Sequence, residues 1–104
     1  MDALYLIELQ FSPQVGRGFV CEREWTRQNV IDQVASGEWG RGVKVIKVLE
    51  IREDENRVSD VTEEIAKAIA DQFYADREPV SYELQNFIQA HCGVTATHDL
   101  NVAA

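Results

Sequence analysis

Four soft metal ligands, Cys21, His91, Cys92 and His98, are the first residues in this chain whose types could do chemistry. Such groups can hold a tetrahedral zinc ion when they converge in pairs. His91 and Cys92 are adjacent, however, and neighbours on a helix point about 100° apart. No paired spacing supplies the other side, so no metal site is expected. A cysteine nucleophile needs a base, a helix N-terminus or positive surroundings to hold its thiolate. Cys92 falls at an expected helix C-terminus, where the dipole disfavours an anion, and Cys21 is followed by Glu22. Glu53, Asp54, Glu55 and Asp60 are close enough in sequence to face a hard cation, but the alternating D-x-[DN]-x-[DN]-G spacing of a calcium loop is missing. The glycines at 16, 18, 37, 40 and 42 lack the spacing and the Lys-Ser/Thr of a phosphate loop. Arg41, Lys44 and Lys47 form too small and too compensated a group for a nucleic-acid face. No catalytic residue, cofactor or metal is therefore expected, and the expected class is a non-enzymatic one.

What the chain does have is a lopsided charge. Up to Arg52, seven acids are matched by seven bases. From Glu53 to Glu83, ten acids stand against three bases, which accounts for seven of the eight net negative charges. A localised acidic field repels phosphate backbones and attracts basic protein surfaces. The expected partner is thus a basic protein surface, with no direct nucleic-acid binding, and the expected contact residues are Glu53, Asp54, Glu55, Asp60, Glu63, Glu64 and Asp71. Trp39, among glycines and near Arg41, joins them as an aromatic anchor, since Trp and Arg are enriched at interface hot spots.

These residues need a scaffold. With 104 residues, 45% of them hydrophobic, the chain suits one core of its own. No apolar run is long enough to span a bilayer, the N-terminus has no secretory-signal pattern, and two distant cysteines give no disulfide framework. A cytoplasmic, reduced protein is expected, with a globular domain over residues 1–93 and a weakly ordered tail over 94–104.

Ala3 to Phe11 alternates with period two, Tyr5, Ile7, Leu9 and Phe11 on one side and Leu4, Leu6, Glu8 and Gln10 on the other. Its first half is apolar on both sides. A turn at Gly16-Arg17-Gly18 leads to a second strand, Phe19 to Arg23, in an antiparallel hairpin. Thr26 caps a helix from Arg27 to Ser36, with Trp25 placed to staple Val30 and Gly37 as its stop. Val43 to Arg52 is a strand apolar on both faces, Ile46 and Val48 opposite Val45, Leu49 and Ile51, and so central in the sheet. Glu53-Asp54-Glu55-Asn56 turns into an edge strand at Arg57 to Ser59. Asp60 and Glu63 have capping-box spacing for a helix from Val61 to about Tyr74. After Pro79 a last helix runs from Ser81 to Cys92 and stops at Gly93. The expected fold class is α/β in the α+β sense: a mixed or mainly antiparallel sheet of three or four strands, in chain order ββαββαα, with helices mostly on one face.

The segment Val58-Ser59-Asp60-Val61-Thr62-Glu63-Glu64-Ile65-Ala66, placed after the strand Val-Ile-Lys-Val-Leu-Glu-Ile, resembles small accessory proteins encoded by phages and prophages. The resemblance spans Val43 to Phe73 and implies a genomic context with no activity attached. With the acidic half, it leads to the expectation of a small interaction protein, an inhibitor of the anti-CRISPR or DNA-mimic kind, that docks on a host nucleic-acid-binding complex. The alternative expectation is a homodimer or larger homo-oligomer, pairing through the Arg57 to Ser59 edge or around Trp25 and Trp39, in which acidity serves only solubility.

Overall fold

The structure, a computed structural model, describes residues 4–11, 14, 16–22, 26–37, 43–93 and 97. Trp25, Trp39, His98 and most of the tail lie outside them, and with them the staple, the aromatic anchor and the frayed end. The chain divides into two compact units, Met1–Thr62 and Glu63–Ala104.

The first unit holds β1 (Leu4–Gln10), β2 (Arg17–Glu22), α1 (Arg27–Ser36), β3 (Lys44–Arg52) and β4 (Arg57–Asp60). The strands form one fully antiparallel sheet in the order β2-β1-β3-β4. With α2 (Thr62–Asp76) and α3 (Tyr82–Cys92) the element order is the expected ββαββαα, an α+β fold. β3 is central, as its two-sided apolar pattern requires, and β4 is an edge. Tyr5, Ile7 and Leu9 of β1 and Val48 of β3 are buried on one face, joined there by Val30, Ile31 and Val34 as the buried positions of α1. Each such aliphatic side chain contributes about 1.5 to 3 kcal/mol by leaving water.

One feature of β3 departs from its alternation. Glu8 pairs with Lys47 but Leu9 pairs with Val45, so Ile46 has no opposite number. The extra residue is a β-bulge, which brings Val45 to the side of Leu9 instead of the side of Leu49 and Ile51. The turn glycines also divide by role. Gly16 sits at φ +85°, in the left-handed region, and its carbonyl accepts from the Phe11 N–H at 2.9 Å. Gly18 is needed for space: a Cβ there would stand 2.8 Å from the Phe11 ring. Accordingly β2 begins at Arg17, two residues before the expected start.

Helix α1 opens as expected at Thr26, whose Oγ1 accepts from the Asn29 N–H while Asn29 Oδ1 accepts from the Thr26 N–H. Gly37, at φ +65°, closes it with its N–H on the Val34 carbonyl. Helix α2 starts one residue later than expected, at Thr62. Asp60 serves that start from the end of β4, but its carboxylate accepts from the Thr62 N–H and hydroxyl rather than closing a box with the Glu63 N–H.

In the second unit, Cys92 Sγ lies 3.8 Å from the Glu63 carbonyl, so the end of α3 meets the start of α2 and the two helices form an antiparallel hairpin. Ile65, Ala66 and Ile69 of α2 and Leu84, Phe87 and Ile88 of α3 are buried. Ser81 caps α3 through the Leu84 N–H, and Gln89 Nε2 donates to the buried Thr97 hydroxyl at 2.7 Å. The connection leaves α2 through Arg77, a non-glycine residue at φ +55°. A side chain in that region costs about 1 to 2 kcal/mol relative to glycine. Arg77→Gly is expected to raise stability by about 1 kcal/mol in urea unfolding, and a loss would show that the arginine side chain holds the turn.

Candidate functional site

All ten acids from Glu53 to Glu83 are exposed. Glu53, Asp54 and Glu55 form a single 3-10 turn at the tip of the β3–β4 hairpin, closed by Asn56 at φ +50° with its N–H on the Glu53 carbonyl. Asparagine tolerates that left-handed conformation, which explains why it ends this turn. Glu55 pairs with Arg57 at 2.8 Å, an exposed contact worth little in energy. Asp60 does not join this group. It lies at the far end of β4, about 10 Å of strand away, with its carboxylate turned to Thr62. The four-acid cation cluster suggested by sequence proximity is therefore not assembled.

Glu63 and Glu64 occupy the first turn of α2, where the positive end of the helix dipole favours carboxylates. Asp71 follows Glu64 and Lys67 at helical spacing, so these three line one exposed side of the helix. The acids thus fall into two sets, one on each unit. No family model, curated protein or solved structure matches the chain. The site has to be read from its own chemistry.

Among the described residues no group of three or more His, Cys, Asp or Glu side chains could hold a metal ion. His91 stacks at 4.9 Å on Phe87 in a tilted arrangement, and the Cys92 thiol is pushed up by burial and by the nearby Glu63 charge. Both observations place the two residues in packing. A thiol so held stays protonated and is a poor nucleophile.

The acid that sequence reasoning passed over is the buried one. Glu50 of β3 is 6% exposed, and three side chains converge on it. Tyr5 of β1 donates its hydroxyl to Oε2 at 2.8 Å, Arg27 of α1 reaches the same oxygen at 2.7 Å, and Arg52 donates to Oε1 at 2.9 Å. Burial alone would raise the Glu50 carboxyl, but the hydrogen bonds from Arg27, Tyr5 and Arg52 outweigh it and hold the group at about 2. The Tyr5 hydroxyl is pushed up by its burial and by the carboxylate it faces. A carboxylate so held cannot take up a proton near neutral pH, so it is no general base; it is a clamp between helix and sheet. A signal for it was present: Glu50 shares the alternation of Ile46 and Val48, the side that packs inward.

Proposed function

We propose that this protein works by binding, presenting its acidic surface to a basic face of another protein, and that the partner is one that otherwise holds nucleic acid. The observation that supports this reading is that all ten acids between Glu53 and Glu83 are exposed, even Asp60 with its bonds to Thr62, whereas Glu50, just before that stretch, is buried. Carboxylates held on a turn and on a helix can occupy the lysines and arginines that a phosphate backbone would contact, and complementary charge speeds the encounter. The resemblance of residues 43–73 to phage-encoded accessory proteins agrees with an inhibitor of this type. In that reading no catalytic step is required of the chain.

Reversing Glu53, Glu63 and Glu64 to lysine lowers the net negative charge from eight to two and touches both acidic sets. Immobilised wild type is expected to retain nucleic-acid-binding proteins from a bacterial lysate at about 0.05 M salt and release them by about 0.5 M, as contacts that replace phosphates do. The triple variant should retain at least tenfold less. Added duplex DNA should compete. Equal retention by both proteins, or retention that survives 1 M salt, would remove the acidic surface from the account.

A further inference from the structure

The second face of the sheet offers a surface of different chemistry. Directly paired residues of an antiparallel sheet share a face. Leu4 pairs with Ile51, Leu6 with Leu49 and Glu8 with Lys47, so β1 and β3 lay two apolar rows and one charged row on the side away from Tyr5, Ile7 and Val48. β2 adds Cys21 beside Leu6 and Phe19 beside Glu8, and β4 adds Val58 beside Ile51. None of these apolar residues is buried, and Phe19 and Val58 are 60% and 62% exposed at the two edges. Apolar side chains on both faces of β1 and β3 are the pattern of strands covered twice.

We propose that this open face packs against the same face of a second copy, about a two-fold axis running parallel to the strands between β1 and β3. The rows decide the occupant, because they are self-complementary. Such an axis keeps each row at its own level and exchanges β1 with β3. Leu4 then meets Ile51 of the other copy, Leu6 meets Leu49, and Glu8 meets Lys47, twice each. Among the described residues neither Glu8 nor Lys47 forms an ion pair within its own chain. The face as a whole also sets Glu8 and Asp60 against Arg17, Lys44 and Lys47, so it escapes the negative charge that would keep two copies of this chain apart. Four strands about 4.8 Å apart and at most about 20 Å long would cover roughly 800 Å² counting both copies, the size of a weak, transient interface. The dimer is therefore in micromolar exchange or weaker.

Sedimentation of the full chain over a concentration series tests this, with Glu8→Lys and Lys47→Glu as separate variants and as an equal mixture. Wild type is expected to pass from one to two chains per particle. Each single variant sets like charges across the axis and should dissociate at least tenfold more readily. The mixture decides the matter: in a mixed pair both contacts become opposite in sign, while within each chain the Glu8–Lys47 position stays like-charged. Recovery to near wild-type affinity only on mixing is the expected result. A wild type that remains a single chain up to about 0.5 mM, single variants that dimerise as well as wild type, or a mixture no better than its components would each overturn the proposal.

Discussion

Replacing Glu50 with alanine is expected to lower folding stability by about 3 to 5 kcal/mol, the usual loss when one partner of a buried ion pair is removed. The substitution leaves the Tyr5 hydroxyl buried without its acceptor and two guanidiniums facing one another across the vacated space. For a domain of this size the melting temperature should fall by about 12 °C or more. A large share of a total stability of about 5 to 15 kcal/mol would be gone. Removing either arginine should cost less, since Glu50 then keeps the other guanidinium and the Tyr5 hydroxyl, and each arginine side chain, 41% and 37% exposed, gives up little burial of its own. A loss below about 1 kcal/mol for Glu50→Ala would show that the clamp is only an exposed ion pair in effect.

The same group gives a pH signature. In the folded chain the Glu50 carboxyl sits at about 2, against an ordinary 4.5. A depressed carboxyl contributes stability that is complete above the unfolded value and disappears as pH falls through the folded one. The window is therefore pH 4.5 down to 2, and the contribution is about 3 kcal/mol. Wild type and Glu50→Gln should differ most at pH 5 to 7 and converge near pH 2 in urea titrations. A gap that stays constant over that range would mean that shape, not charge, makes the difference.

Thr62→Val should cost about 2 kcal/mol, since it strands a buried donor. The Thr62 hydroxyl, in a residue 3% exposed, accepts from the Val48 N–H at 2.8 Å, while the Val61 N–H donates to the Val48 carbonyl at 2.9 Å. Where β4 gives way to α2, a side chain thus takes over the acceptor role that the next rung of the ladder would have filled. Valine matches threonine in shape but not in polarity, so the effect reports the hydroxyl's bonds alone, the one accepted from the Val48 N–H and the one donated to Asp60. Thr62→Ser keeps the hydroxyl and should recover most of the loss in the same denaturation assay. If serine fares no better than valine, the methyl group is what matters.

Much of the scaffold was legible because its signals are local. The period-two run around Tyr5, Ile7 and Leu9, the Thr26 cap and the Gly37 and Gly93 stops need only neighbours in the chain to act. What escaped involves two segments at once. The bulge at Ile46 exists only in relation to Leu9 on the opposite strand, and the space above Gly18 is set by the Phe11 ring. Asp60 and Thr62 exchange a bond across an element boundary that a spacing rule placed one residue early. The candidate contact acids were readable as exposed charge, yet their division between a hairpin tip and a helix was not, because adjacency in sequence says little once a strand intervenes. In sequence Glu50 is one of seven acids matched by seven bases, and only its company of Tyr5, Arg27 and Arg52 marks it as buried.

The strand order also sets how the chain can assemble in time. β1 with β2, and β3 with β4, are each neighbours joined by a short turn, so both hairpins close over small loops at little entropic cost. A single pairing, β1 with β3, spans the whole α1 region, and it is the one that Tyr5 and Glu50 stitch from opposite strands. Folding of the sheet reduces to two quick local closures and one slow distant one, and the clamp lies on the slow one.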